Sequence, residues 1–514
     1  MIHNNTTQQQ RIIKIFLILI LITFLVTPVF SQHRGDPLAF QGLSNSADYT
    51  AKSMAMGNAF TSLSGELGSL YFNPAGLASI NSIKVSVSAN SQQKKWFENQ
   101  DYRSNRFQVH LPFYLEGLYI PGELNIDTLT GEPAWDNEIA IDSNYVVKQP
   151  ETGKGEFSEE GADWVEDVNT FSVNTLALAL PMTLLDKNVV LSLGYKNRYN
   201  VTDFDRNDTY LDPHLGYSKY DMPKRVADGD TLRVNWFRYL RERKGSLHQG
   251  KIAVGIEMTK NLKLGLGLTM MTGETEDRQT LNKYGYFDIV NNNRFRFGFD
   301  TLNTATNGTS TFRSFSVNIG AIYSIEKLSV GINLELPHIL TREYDYDISE
   351  TTGIANTTYG TSGADELELP MAMTVGVNFK PIEKFIFSVD YQANNYSKAT
   401  FNLANAMADS AHNAWVDQRS WHCGIEYKIL PFLSLMGGYQ HIPQAFVPDG
   451  AAFEDRGPQA ESYSLGAGMD FFNLGRITVA YKMNKLKYYD QYMSNTNYNV
   501  IKYNNLSIGY ELSL

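Results

Sequence analysis

The chain has almost no cysteine. One residue, Cys423, in 514 excludes an intramolecular disulfide framework and any cysteine-based zinc cluster. Positive charge is also short, with 44 Lys and Arg against 55 Asp and Glu and a net charge of −11. Phosphate binding needs clustered positive charge, so the balance argues against a nucleic-acid partner. Beyond Phe30 no run of about 18 apolar residues occurs, and no helix past that point is expected to cross a bilayer. A mean hydropathy of −0.29 is too polar for a helical membrane bundle. Enzyme signatures are missing too: there is no Gly-x-Ser-x-Gly elbow and no His-Glu-x-x-His metal site. Gly265-Leu266-Gly267 and Gly466-Ala467-Gly468 both lack the third glycine of a dinucleotide site. Asp203-x-Asp205-x-Asn207 opens like a calcium loop, but Asp208 replaces the glycine and His214 the closing glutamate, so it reads as an ordinary loop. His338, His412, His422 and His441 read as scattered external-loop residues. No catalytic residue, metal or cofactor is expected.

What the chain does have begins with its N-terminus. Arg11 and Lys14 precede an uncharged run from Ile15 to Phe30, and Ser31 suits a cleavage site, so residues 1–31 are expected to be a secretory signal peptide. Residues 122–168 hold thirteen acids against Lys148 and Lys154, which leaves the rest of the precursor balanced. Such an insertion is expected as a solvated loop, with a divalent-cation site or a contact with a charged cell surface as the alternatives.

Most of the remaining sequence repeats one rhythm. Leu328, Val330, Ile332, Leu334 and Leu336 alternate with Ser329, Gly331, Asn333 and Glu335; Leu262 to Met270 does the same against Lys263, Gly265, Gly267 and Thr269. Period-2 alternation over nine or ten residues makes strands with one apolar face, at the length a tilted strand needs to cross a bilayer. Six tight hairpins follow: 171–182 with 189–200, 249–259 with 262–272, 312–325 with 328–336, 370–380 with 384–394, 419–429 with 432–441, and 461–471 with 475–486. Between hairpins the connections are long and polar, the pattern of outer-membrane barrels with short periplasmic turns and long external loops. Adding 83–90 before and 502–514 after gives fourteen strands. The expectation is an all-β, transmembrane antiparallel barrel over 83–514. Segment 107–119 also alternates and is assigned to the first long loop. The terminal run Leu506, Ile508, Tyr510, Leu512 and Leu514 looks like the closing strand that the barrel assembly machinery recognises. Outer-membrane lipids would surround the barrel, and a monomer is expected.

Residues 32–82 lack the alternation and are rich in small side chains. Their core runs from Ala51 to Leu63 and then through Leu70-Tyr71-Phe72-Asn73-Pro74-Ala75-Gly76-Leu77-Ala78. Pro74 restricts Asn73, and Gly76 is expected to supply a positive φ in a turn. A compact segment of this kind can fold back into a barrel lumen, because larger barrels need either a channel or a plug. Recurrent strand glycines, Gly255, Gly265, Gly320, Gly331, Gly376, Gly424 and Gly466 among them, are expected to relieve crowding or to let such a plug approach. Gly194, on the third strand, is a candidate wall kink.

At this point the chain resembles the FadL/TodX family of outer-membrane transporters for long-chain fatty acids and other hydrophobic compounds. The resemblance is carried by Met56-Gly57-Asn58-Ala59-Phe60, the Asn73 to Ala78 box, the strand count, and later stretches such as Leu369-Pro370 and Gly437-Gly438-Tyr439. It implies a hatch over 32–82 inside the lumen, with Asn73, Pro74, Ala75 and Gly76 as its turn. It also implies a ligand pocket near His33 to Phe40, passive transfer of a hydrophobic small molecule, lateral exit, and a place in the outer membrane of a Gram-negative bacterium. The resemblance leaves the ligand-binding residues unassigned. A second reading is kept beside it, a PorV-like outer-membrane component of a protein secretion system.

Overall fold

The structure, a computed structural model, describes residues 38–43, 48–100, 124–126, 133–135, 157–162, 164–212, 231–290, 294–298, 301–404, 415–445, 458–471, 474–492 and 495–514. The expected signal peptide and segment 107–119 lie outside these residues, as does most of the acidic insertion. Of that insertion a short hairpin of β2 (Leu124–Ile126) and β3 (Pro133–Trp135) is described, and its last residues from Trp164 already belong to a strand.

The first barrel strand is β1 (Lys84–Gln100). After β2 and β3 come β4 (Trp164–Leu184), β5 (Lys187–Asp212), β6 (Thr231–Glu257), β7 (Leu262–Val290), β8 (Arg294–Gly298) and β9 (Leu302–Ile325). Next are β10 (Leu328–Glu335), β11 (His338–Thr352), β12 (Asn356–Leu369), β13 (Ala372–Ile382), β14 (Phe385–Asn394) and β15 (Thr400–Asn402). The series ends with β16 (Gln418–Leu430), β17 (Leu433–Pro443), β18 (Gln459–Asp470), β19 (Arg476–Tyr492) and β20 (Asn495–Ser513).

Fourteen of them close into a ring, β1-β4-β5-β6-β7-β9-β10-β13-β14-β16-β17-β18-β19-β20, each antiparallel to its neighbours, and β20 pairs back onto β1 from Lys84–Ser513 to Gln100–Asn497. Closure leaves no free sheet edge, which is what a bilayer demands of a strand-built span. All six short links of the sequence reading are present. In the first, Leu185 and Asp186 take φ of 51° and 56°, the left-handed pair that a two-residue hairpin needs.

The outer connections differ from expectation. Segments read as long polar loops are in large part strand. β6 starts at Thr231 rather than 249, β7 runs on to Val290, and β5 carries Asp203 and Asp205 within a strand. His338, His422 and His441 are strand residues as well. The cause lies on the outer face. Along β7 the outward residues Leu264, Leu266, Leu268 and Met270 give way to Glu274, Glu276 and Arg278. The ladder persists past the hydrocarbon while the apolar signal stops, so a search for apolar alternation loses the strand where it leaves the membrane. β10 with β11, and β12 with β13, are likewise two long strands, each interrupted once, that keep a single register across both pieces (Glu335 with Ala372, His338 with Leu369).

Candidate functional site

The stretch from Asp48 to Ile80 packs against the faces of the strands that point away from the apolar outer surface. It forms α1 (Ala51–Ala55), α2 (Ser69–Phe72) and a 3₁₀ turn over Pro74–Ser79. Pieces this short do not hold themselves together. A reciprocal capping box starts α1: Ser53 N donates to Thr50 Oγ1 (3.1 Å) and Thr50 N to Ser53 Oγ (3.0 Å). The wall does the rest. Glycines on the inner face meet this segment from around the ring: Gly265 and Gly255 at Pro74 to Ala78, Gly320 at Asn73, Gly331 at Thr61, Gly424 at Met56, Gly438 at Gly57 and Gly466 at Ala55. Gly57 itself has φ +60°, and a Cβ there would stand 2.5 Å from the Cys423 carbonyl oxygen.

Asn73 is fully buried. Its Nδ2 donates to Thr61 O (2.8 Å) and faces Ala321 O and Ile332 O (both 3.2 Å), while its Oδ1 accepts from Ala75 N (3.1 Å). Pro74 holds Asn73 at φ −145°, ψ 105°, so the side chain caps the 3₁₀ turn. Gly76 departs from expectation: it is absent from the positive-φ residues among those described, and its role is space, since a Cβ there would collide with the Leu63 carbonyl and with Ser69.

Charged groups fasten the same segment. Asp390, on β14, accepts from Phe60 N and Thr61 N (2.8 Å each) through Oδ2. Glu426 on β16 lies 3.0 Å from Lys52 and 2.7 Å from Arg476, and Lys52 also reaches Glu66 at 2.7 Å. Asp48 accepts from Lys482 (2.6 Å) and Asn505 (2.9 Å). Sequence reasoning missed these carboxylates. Asp390 was open to discovery, as an acid on the inner parity of the apolar run Phe385 to Tyr391.

A cavity of about 190 Å³ lies between this segment and strands β10 to β17. Its outward end is mainly apolar, with Leu43, Met271, Leu340, Leu367, Leu369 and Trp415, and with His338 beside Leu369; its deeper end is polar, with Asn58, Glu335, Asp390, Gln392, Gln418 and His422. Tyr49, Tyr71 and Phe72 also line it, and they pack on one another with ring centroids at 5.3 Å and 4.7 Å. Beside the apolar end, Ala39 and Phe40 are buried against Val201, Leu247, Phe312 and Leu340.

A second carboxylate cluster stands above the apolar belt and clamps that N-terminal strap. Arg243 donates Nε and Nη2 to Asp277 (2.7 and 2.8 Å) and Nη1 to the carbonyls of Ala39 and Gln41 (2.8 and 3.1 Å). Ser310 and Tyr346 hydroxyls donate to Asp277 at 2.5 and 2.6 Å, and Arg342 pairs with Asp365. Burial alone would raise the Asp277 carboxyl, but the hydrogen bonds and charge of Arg243, with both hydroxyls, outweigh it and hold the group below its ordinary value. Burial pushes the Tyr346 phenol up to about 12. On β5, burial carries Asp205 up to about 7 against the pull of Arg241, which donates to Asp203 at 2.7 Å.

The wall parts beside the aromatic group. β4 and β5 pair from Leu184–Lys187 to Thr175–Lys196, and no further rung joins them among the described residues. Gly194 lies inside the regular ladder, paired with Ala177 and with Lys251, so it is no kink. It is the spot where Leu70 and Tyr71 press on the wall. The irregularities fall past it, at Asn197/Tyr199 on β5 and between Ser88 and Ala89 in the β1–β4 pairing. Tyr71 Oη sits 2.8 Å from Tyr195 O and 3.2 Å from Leu176 O, on the last rungs before the parting, and the Lys196 ammonium lies 3.5 Å from the Tyr49 ring centre.

Residues 249–487, a little under half of the chain, match the family model described as outer membrane protein transport protein (OMPP1/FadL/TodX). Over that stretch the chain is similar to the FadL/TodX family of outer-membrane barrels. Solved structures of FadL/TodX-type barrels share the architecture over nearly the whole length. A Pseudomonas aeruginosa FadL homologue aligns with a TM-score of 0.55 at 12% identity, covering 90% of this chain and 98% of that one. The P. putida toluene transporter TodX aligns with a TM-score of 0.53 at 12% identity, covering 91% and 99%. No curated protein matches. The FadL/TodX-type resemblance read from the sequence therefore holds, as do the barrel fold and the Gram-negative outer membrane as its place.

Proposed function

We propose that this outer-membrane transport protein passes compact hydrophobic compounds through a plugged barrel, with residues 48–80 as the hatch and Asn73, Pro74, Ala75 and Gly76 as its turn. The observation that carries the reading is the cavity of about 190 Å³, apolar outward and polar inward, held between that segment and the wall. An apolar cavity of about 150 Å³ is enough for benzene. A single-ring compound with one polar end therefore fits within it, whereas a long-chain fatty acid enters only in part, its carboxyl end toward Gln392 and Gln418. Ligand exchanges water for apolar side chains at Leu340, Leu367 and Trp415, and the gain comes from that burial. From there the aromatic group Tyr49, Phe72 and Tyr71 leads toward the parting between β4 and β5, which supports lateral release into the membrane. Transfer is passive, by binding and hatch movement.

The test is mass spectrometry of small hydrophobic molecules retained by the detergent-extracted barrel. A discrete ligand bound to the natural chain and lost in Leu340→Trp, which fills the apolar end, supports the reading. Retention of secreted protein subunits with no small ligand overturns it in favour of the secretion-system component, to which the family match lends no support.

A further inference from the structure

The hydrogen-bond ladder is interrupted in one layer on three successive strands. The chain passes through Leu336-Pro337 between β10 and β11, and through Pro370-Met371 between β12 and β13, and the two breaks face each other. Proline has no N–H to give to a neighbour. On the β9 side the layer stays sealed, because Leu336 N still donates to Val317 O at 2.9 Å. On the other side it does not. Rungs end at Ala372–Asn394 and resume at Glu368–Thr400, so residues 369–371 face residues 395–399 with no rung between them. The departure is built in: Tyr396–Lys398 forms a 3₁₀ turn, Arg419 Nη1 donates to Asn394 O (2.9 Å), and Ser397 Oγ donates to Asp417 (2.6 Å).

Depth and backing give the break a meaning. On its periplasmic side the outward residues Met371, Val377 and Phe379 are apolar and exposed, and Tyr391 packs on Trp421 at 4.7 Å. On its outer side they are Glu366 and Glu368. This is the change that marks the outer edge of the hydrocarbon, where interfacial aromatics gather. Behind the break lies the cavity, lined by Pro370 on one lip and Tyr396 on the other.

We propose that the break is a lateral entry port, through which a hydrophobic compound already dissolved in the outer leaflet passes between Pro370 and Tyr396 into the cavity. It is distinct from the β4–β5 parting, which lies across the ring. The proposal rests on the transport reading above. Parting the strands here breaks no ladder hydrogen bond, and the compound moves from acyl chains to Leu369 and Trp415 without re-entering water.

The experiment uses Met371→Cys/Tyr396→Cys in a Cys423→Ser background, reconstituted in vesicles whose bilayer carries the fluorescent probe N-phenyl-1-naphthylamine. Filling is read as the part of the tryptophan-to-probe energy transfer that is lost when the cavity's Trp415 is replaced by Phe in each form, because lipid-facing Trp421 reaches bilayer probe without any filling. Oxidation should slow filling by about tenfold at unchanged final occupancy, and a reductant should restore it. Tyr396→Ala, which needs no cross-link, should fill faster than the natural chain. Equal rates in the oxidised, reduced and Tyr396→Ala proteins, with normal final occupancy, overturn the port and leave the transport reading standing. No Trp415-dependent transfer in any form overturns the transport reading, and the port with it.

Discussion

At Asn73 one amide ties together three carbonyls from three parts of the chain. Asn73→Ala strands those acceptors and should cost roughly 1–3 kcal/mol. Asn73→Asp should cost more, because a carboxylate would face three carbonyl oxygens with nothing to donate. Thermal unfolding of the reconstituted barrel ranks the two, and a ranking with Ala worse than Asp would remove the donor role. Gly265 makes the complementary point through shape. A Cβ there runs into the backbone of Pro74 and Ala75, which cannot yield as a flexible side chain would. Gly265→Val should therefore expel the Pro74–Ser79 turn from its seat while the outer face of β7 is unchanged. Proteolytic cleavage within 60–80, absent in the natural chain and present in the variant, is the expected result. Of the two, the glycine showed in the strand pattern as a place left open, whereas the partners of Asn73 did not show at all. The sequence marks Asn-Pro as a turn, but which carbonyls the amide meets depends on strands some 250 positions downstream.

Among elements, the strap at Ala39–Gln41 and the outer half of β5 respond to pH in opposite directions. Asp277 is held below its ordinary 3.8, so its contribution is present above that value and is lost as pH falls beneath it. Asp205 is raised from 3.8 to about 7, so it binds more protons folded than unfolded, and its contribution fades as pH rises from about 4 through 7. Hydrogen exchange corrected for intrinsic rates should show the strap loosening in acid and residues 201–206 loosening toward neutrality. Arg243→Met leaves buried Asp277 with only Arg342, at 3.8 Å, as a cation and removes the donor to both strap carbonyls. A loss of about 3–5 kcal/mol in local protection at the strap is expected. Unchanged protection there would mean that the apolar contacts of Phe40 hold the strap unaided.

For the molecule as a whole, the wall was far more legible than its contents. Alternation located every barrel strand, because the bilayer forces one face of each to be apolar over a fixed length. It failed wherever that force stops. The extensions of β5, β6 and β7 beyond the membrane, and β11 and β12 beyond the interruptions that follow β10 and precede β13, show mixed charge outside and read as loops. The interior has no periodicity to betray it. Asp390, Glu426 and Asp48 are single residues whose significance is their partner, and the cavity exists only once β10 to β17 are curved around residues 49–72. Glycine spacing came nearest to a signal for the inside, since its purpose is to leave room for something.

The seam of the ring joins β1 to β20, the earliest and the latest of its strands to be made. Residues 48–80 are made before any of them. The cylinder can shut only after its final strand arrives, so the N-terminal segment has the whole of that interval to dock on the curling sheet, against Gly265, Gly320 and Asp390, before the seam zips. A segment that docks late must instead enter through an end of the finished ring and find its seat between walls that no longer give way.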